Sequence, residues 1–531
     1  MAMVLTCQKP TQRDREGEVP EGLPGSTKSA GCGERSVENL GEPSGSWGNP
    51  REAASRGAPR AARTSDPRVV LGGRESRPQG EAVDRGSQPA QETGAGHDGP
   101  DTRLPTSLRG IADKARREPK HRFRNLYGML NEAFLHESWR WVRKNAASGV
   151  DRVSAQAYDG DLAANIRGLV EQLKQKRYRA KLVRRQWIPK GKDQLRPLGI
   201  PVVEDKLLQR AVARILTAIF EQDFLRCSYG YRPRVGAREA VDKLTVKLQF
   251  GEYHHVVEVD LENYFGTIDH DWLLRMLEQR VDDRPFVRLI RKWLKAGVLE
   301  TDGAVVHPTT GTPQGGVVSP VLANIYLHYV LDLWFHRKVA KRCRGEACLI
   351  RYADDLVCAF ERADEADRFL EELVERLGKF GLRMSPAKTR RLPFPRTGEG
   401  TEAFDFLGFE FRWGRDRQGR PHLTRRTARK SLRASLHRYT EWCRANRHRR
   451  MSDLFRELNQ KLGGYYRYFG IFGNSPSLRQ FHQQAMRILF KWLNRRSQPR
   501  SYTWPGFRDL IHHFGVPHPV ALRTTPASPA P

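Results

Sequence analysis

Three carboxylates in this chain sit where a carboxylate needs a reason. Asp260 closes the apolar run His254–Asp260, and a charge at the end of a buried strand is costly unless it binds something. Asp354 and Asp355 are adjacent, at an acidic turn between two short apolar segments, Cys348–Tyr352 and Leu356–Phe360. A strand end and a hairpin tip can bring all three to one edge of a sheet. Three convergent hard oxygen donors suit Mg²⁺, which keeps several waters and is completed by substrate phosphates. Two such ions about 3.5–4 Å apart stabilise both the attacking and the leaving oxygen of a phosphoryl transfer. Alone, an Asp-Asp pair is ordinary turn chemistry, so its meaning depends on what surrounds it.

The surroundings are strongly basic. The 531 residues carry 92 Lys+Arg against 61 Asp+Glu, a net charge of +31, which points to a polyanionic partner, most simply nucleic acid. Residues 1–102 do not share the excess: they hold 13 basic and 15 acidic residues, 16 Gly, 10 Pro and one aromatic, Trp47. Such a segment buries too little apolar surface to offset its ordering entropy, and a disordered extension is expected there. Residues 421–500 carry 19 Lys+Arg against only Glu441, Asp453 and Glu457, interleaved with aromatics. Seven scattered Cys with no CxxC fit a reducing cytosol and argue against a disulfide framework or zinc ribbon. The longest apolar runs, such as Gly316–Leu327, are too short to span a membrane, and no secretory signal is evident, so a cytoplasmic location is expected.

Periodicity supplies the elements that must position the acids. Phe123, Leu126, Tyr127, Leu130 and Phe134 predict an amphipathic helix; Leu207–Phe224 predicts another. His254–Asp260 reads as a strand with Val257 and Val259 on one face and Val256 on the other. Helices are expected over Asp271–Leu299, Ser319–His336 (from a Ser-Pro cap) and Ala363–Phe380. Phe404–Phe411 reads as a strand kinked at Gly408, and beyond Thr424 the pattern is helical. The fold class is α+β, followed by an all-α module.

The acidic residues lie within an ordered series of motifs. Ile188–Pro201 and Ser228-Tyr-Gly-Tyr-Arg-Pro233 come first, then Val259-Asp-Leu-Glu-Asn-Tyr-Phe265. Gly311-Thr-Pro-Gln-Gly-Gly-Val-Val-Ser-Pro320, Arg351-Tyr-Ala-Asp-Asp355, Gly381–Thr389 and Phe406-Leu-Gly-Phe409 follow. The series resembles the reverse transcriptases encoded by bacterial group II introns, from about Phe123 to about Ile511, and Leu458–Phe469 resembles their maturase segment. The resemblance implies a right-hand polymerase: fingers over 103–250, palm over 251–412, thumb and maturase helices over 413–515, and a tail over 516–531. It implies RNA-directed DNA synthesis from deoxynucleoside triphosphates with two Mg²⁺ ions, a DNA primer or target, and binding of the parent intron RNA to assist splicing and mobility.

Roles follow from the matched positions. Asp260, Asp354 and Asp355 are implied to hold the metals, with the carbonyl of Leu261 as a further ligand. Phe265 would stand under the sugar of the incoming nucleotide and exclude a 2′-OH. Gln314 and Gly315-Gly316 would approach that nucleotide. Lys190 and Arg196 would close over its triphosphate from a hairpin tip, and Lys388 would protonate the departing pyrophosphate. Tyr466, Arg467 and Tyr468 are the expected RNA contacts, while Tyr465 and Phe469 are the better core candidates. Many relatives end in a nuclease with Cys pairs; none is seen before Pro531, so strand cleavage is not expected of this chain and a primer from elsewhere is. The rival readings are an RNA-binding splicing factor without polymerase activity and a domesticated reverse transcriptase in antiviral defence.

Overall fold

The computed structural model describes residues 106–189, 195–396, 402–496 and 501–519. The chain divides between Gly94 and Ala95, and all described residues belong to the second unit. The extension expected over 1–102, Lys190 and most of the 516–531 tail lie outside them.

Helices α1 (Thr106–Arg117), α2 (Glu132–Trp139), α3 (Ala155–Gly160) and α4 (Leu162–Lys174) lead into an antiparallel ribbon, β1 (Val183–Pro189) and β2 (Leu195–Ile200). The stripe from Phe123 to Phe134 is not one helix. Asn125 is left-handed (φ 59), a single 3₁₀ turn covers Tyr127–Met129, and Asn131 caps α2 by accepting from Phe134 N at 3.0 Å. Phe123, Leu126, Leu130 and Phe134 are all buried, so their spacing reported burial correctly and continuity wrongly. The next helix, α5 (Val203–Phe220), is buried along most of its length, and α1 and α2 pack on it.

After α6 (Ala237–Phe250) comes β3 (His255–Asp260), then α7 (Tyr264–Thr267), α8 (His270–Leu277), α9 (Arg284–Leu294) and the short strands β4 (Val298–Leu299) and β5 (Val305–Val306). The helix expected over 271–299 is therefore two helices and a strand. Asp283 accepts from Phe286 N at 3.0 Å and Pro285 sits in the first turn of α9, two signals that begin a new helix. The predicted Ser319–His336 helix begins as α10 (Ser319–Leu327) and then widens into two π-helical segments, His328–Asp332 and Phe335–Val339, before α11 (Ala340–Arg342). Ser319 is not its cap; its hydroxyl donates to Pro313 O at 3.0 Å.

The hairpin of β6 (Ala347–Tyr352) and β7 (Asp355–Phe360), with α12 (Ala363–Lys379) and β8 (Arg390–Pro393), completes a sheet of order β6-β7-β3-β8. This sheet is covered on both faces. Val257, Val259, Leu356, Cys358 and Phe360 enter the core that holds α5, α8, α10 and α12. Val256, Ile350, Val357 and Ala359, the alternate residues, enter a second core built with the C-terminal elements. The two faces expected of His254–Asp260 are found as read.

Phe404–Phe411 is a reversal rather than a kink: β9 (Phe404–Phe406) folds back on β10 (Phe409–Arg415) through Leu407 and Gly408, both left-handed (φ 49 and 80). A further strand, β11 (Pro421–Thr427), pairs with β10, so the helical region begins after Thr427 with α13 (Arg429–Asn446), α14 (Met451–Phe469), α15 (Ser475–Leu493) and α16 (Trp504–His513). No helix among the described residues is long and apolar enough to cross a membrane.

Candidate active site

Two strands bring the acids together. β3 and β7 are antiparallel partners in a register that sets Asp260 directly opposite Asp355. Across the hairpin Tyr352 pairs with Asp355, and the two-residue turn places Asp354 beside it, with Ala353 left-handed (φ 57). An alanine held there stores strain that its surroundings must overcome.

Those surroundings centre on Arg351, which is fully buried (0% exposed). Its Nε and Nη2 donate to the two carboxylate oxygens of Asp332 at 2.8 and 2.6 Å. Its Nη1 donates to Asn324 Oδ1 and to the carbonyl of Ala353, both at 3.0 Å, and Nη2 also donates to Ser228 Oγ at 2.7 Å. All five N–H groups of the guanidinium are thereby used. Asp332, also at 0% exposure, comes from the first π-helical segment. The strand backbone adds to the clamp: Arg351 N donates to Cys227 O and Tyr229 N to Arg351 O. Gly230 lies so close to the Ala353 backbone that a Cβ there would overlap it. The motif series assigns Arg351 no role; an arginine in an otherwise apolar strand is the signal the sequence offers. Nothing in the helical pattern marked Asp332.

The carboxylates feel one another. Asp355 is pushed up to about 6, chiefly by loss of hydration and then by Asp354 and Asp260, while Lys388 and Arg196 pull it back. Lys388 reaches Asp260 Oδ2 at 2.8 Å. No three His, Cys, Asp or Glu groups among the described residues are gathered closely enough to hold an ion as they stand. The donor set fits a hard divalent cation: three carboxylates that repel one another, one of them paired with an exchangeable ammonium. Reverse transcriptases as a family use such ions. Leu261 is buried and bridges to Met384, and the flanking bonds use Asp260 O and Glu262 N, leaving the carbonyl of Leu261 outside that pair.

The other expected residues fall into two groups. Arg196 projects from β2, opposite Ile188, close enough to influence both Asp355 and Tyr231. Phe265, on α7, is half-buried, with Tyr231 edge-on at 6.2 Å. Tyr231, half exposed and near Asp354, was missed by the sequence reading, although its motif was quoted. The carbonyl of Gln314 accepts from Gly199 N at 2.5 Å, tying this loop to β2. The maturase-segment residues do not behave alike. Tyr466 is buried, hydrogen-bonded to His482 at 2.7 Å, so its ring offers no stacking face and that expectation is corrected. Tyr465 is half-buried on Phe481 (centroids 3.6 Å), and Phe469 is buried, as expected. Arg467 and Tyr468 are exposed.

Residues 188–411 match the reverse transcriptase (RNA-dependent DNA polymerase) family. Protein YkfC of Escherichia coli is 32% identical over 347 residues, covering 59% of this chain and 89% of that protein. This chain belongs to the reverse transcriptase family. Among its relatives, the group II intron-encoded protein LtrA of Lactococcus lactis is 37% identical over 218 residues, 40% of this chain and 36% of LtrA. The reverse transcriptase chain thus spans about a third of LtrA. A solved apo telomerase from Candida tropicalis is 13% identical with a TM-score of 0.39, over 63% of this chain and 61% of that one.

Removing one partner of the Arg351–Asp332 pair strands a buried charge. Asp332→Ala should lower unfolding free energy by about 3–5 kcal/mol, read from urea midpoints. Asp271→Ala, which breaks the exposed 3.9 Å pair with Arg291, should stay within about 1 kcal/mol of wild type.

Proposed function

We propose that this reverse transcriptase is the RNA-directed DNA polymerase of a group II intron and that it also binds the parent intron RNA as a maturase. The observation that carries the polymerase reading is the register opposing Asp260 to Asp355, with Asp354 alongside. The domain reading keeps fingers over 103–250, palm over 251–412 and thumb with maturase helices over 413–515.

Asp260, Asp354 and Asp355, with the carbonyl of Leu261, would hold two Mg²⁺ ions. When bound, such ions supply activation of the primer 3′-hydroxyl and neutralisation of charge on the transferred phosphate. The protein's own groups do the rest. Arg196, supported by Lys190, draws in the triphosphate and offsets its charge. Phe265 excludes the 2′-OH, and Tyr231 braces its ring from the side. Gln314 positions the nucleotide from a loop tied to β2. Lys388 supplies an ammonium beside Asp260 and is the group assigned to protonate the departing pyrophosphate.

RNA binding is supported by a groove of ≈ 730 Å³ along β11, α13 and α15, lined by Arg412, Arg425, Arg426, Arg429 and Arg433. Arg412 and Arg426 pair with Glu410 and Arg425 with Asp242, so the arginines outnumber the local acids. A surplus of guanidinium groups suits the phosphates of a nucleic-acid backbone. Arg467, exposed on α14, is retained as an RNA contact.

Purified protein should extend a DNA primer on an RNA template in the presence of Mg²⁺, and the parent intron RNA should copurify with it. Asp354→Ala should abolish extension while RNA affinity holds within about twofold, because only the metal site is lost; synthesis surviving the change would refute the assignment. Phe265→Ala should raise ribonucleotide incorporation, measured as the ratio of ribo- to deoxynucleotide efficiencies. Arg429→Gln combined with Arg433→Gln should flatten the slope of log affinity against log salt by about 0.7–0.9 per arginine. An unchanged slope would place the RNA elsewhere.

A further inference from the structure

The ring assigned to sugar discrimination stands on very little helix. α7 spans four residues and is entered through left-handed Asn263 (φ 42), too short a turn to hold its own shape. A steric gate works through van der Waals contact, which fades over about 0.5–1 Å. What fixes α7 therefore decides how well Phe265 can exclude a 2′-OH. On the ring side, Tyr231 and Tyr264 meet Phe265 edge-on at 6.2 and 5.5 Å. The buried hydroxyl of Tyr264 donates to Ala323 O at 2.5 Å, pinning the start of the turn to α10.

The other end is held by the loop that runs on to Gln314. Gly311 N donates to Ile268 O and Thr312 N to Phe265 O, both at 2.7 Å, and Thr310 Oγ1 donates to Gly266 O at 3.1 Å. Three consecutive loop residues thus answer carbonyls that a single helical turn leaves open at its C-terminal end. Contact is so close that a Cβ on Gly311 (φ 85) would overlap the carbonyls of Phe265 and Gly266. The loop is anchored in turn by His270, buried in the first turn of α8, whose Nε2 lies 2.7 Å from Gly311 O. A carbonyl only accepts, so this nitrogen is the donor. Gly311 O and Thr312 N belong to one planar peptide. The imidazole grips one side of it and the other side grips Phe265, a hydrogen-bonded chain in which each bond polarises the next. A core histidine that merely satisfied a stray carbonyl would have no such connection.

We propose that the 310–312 loop is the brace of the sugar gate, and that His270 and Thr310 are positioning residues for nucleotide selection. His270 fixes the Gly311–Thr312 peptide, that peptide fixes the backbone of Phe265, and Thr310 fixes the residue after it. Neither side chain touches the nucleotide. Both set how far the ring can yield when a 2′-OH presses on it. The inference rests on the gate reading of Phe265 given above.

The readout is the ratio of kcat/KM for a ribonucleotide to that for the matching deoxynucleotide, measured by primer extension on an RNA template. A general defect in folding or chemistry lowers both efficiencies and leaves their ratio unmoved. His270→Leu and His270→Phe remove the donor in two shapes. Each should raise the ratio about two- to tenfold, the range expected for one lost hydrogen bond. Thr310→Val, at an exposed position that does not threaten folding, should raise it about twofold. His270→Gln, whose amide can still donate to Gly311 O, should stay closer to wild type than the leucine and phenylalanine variants. In a Phe265→Ala background the same substitutions should leave the ratio where Phe265→Ala alone puts it, because no ring is left to position. An unchanged ratio in every variant that folds would overturn the proposal. So would a further rise of undiminished size in the Phe265→Ala background. If Phe265→Ala by itself left the ratio at the wild-type value, the gate reading would be refuted, and this inference with it.

Discussion

A single guanidinium, fully withdrawn from water, holds the shape of the acidic hairpin. Burying a charge is expensive unless every hydrogen-bonding group on it is answered. Arg351 meets that condition through Asp332, Asn324, Ser228 and the carbonyl of Ala353. Each partner comes from a different part of the chain: the motif before β3, the long helix, its π-helical continuation, and the turn itself. The left-handed Ala353 is tolerable because it is held in this way, and Asp354 and Asp355 follow it directly. Even the helix geometry serves the arrangement, since Asp332, its counter-ion, lies in the first of the two widened segments.

The sheet around this hairpin has an unusual burden. With apolar residues alternating between two cores, β3 and β7 have no solvent face along most of their length. Charge inside the strands is paired, as Glu258 is with Arg390, and the three clustered acids lie at the strand ends. The concentration of like charge is offset locally by Lys388 and Arg196. A basic chain with an acidic centre also has a simple electrostatic logic: cationic surface attracts polyanion, and the grouped carboxylates attract cations.

Sequence was most informative where local pattern and burial agree. The strand His255–Asp260, the hairpin around Asp354 and the helix Ala363–Lys379 follow from alternation and amphipathicity alone. It failed where continuity was inferred from spacing. Phe123–Phe134 keeps helical spacing across a break because its side chains all face one core, and Asp283 with Pro285 restarts a helix inside a run that looks uninterrupted. The turn at Leu407-Gly408 is a full reversal because two successive left-handed residues suffice for one. Among the aromatic residues of Tyr465–Phe469, spacing four apart gave Phe469 correctly but put Tyr466 and Tyr468 together on the surface. Their difference depends on α15, which buries the first ring, and on β10, which leaves the second part-exposed. The Arg351–Asp332 pairing joins residues 19 apart on different elements, and only the assembled fold makes them neighbours.

The loop after Gly311 has one further implication. A Cβ at Gly315 (φ 108) would overlap the carbonyl of Gly199, one at Gly199 would run into Val183 and Pro313, and Gly199 N is bonded to the carbonyl of Gln314. The β1–β2 ribbon and the Gln314 loop are therefore mechanically one piece. A displacement of the ribbon would therefore be passed to the loop through backbone alone.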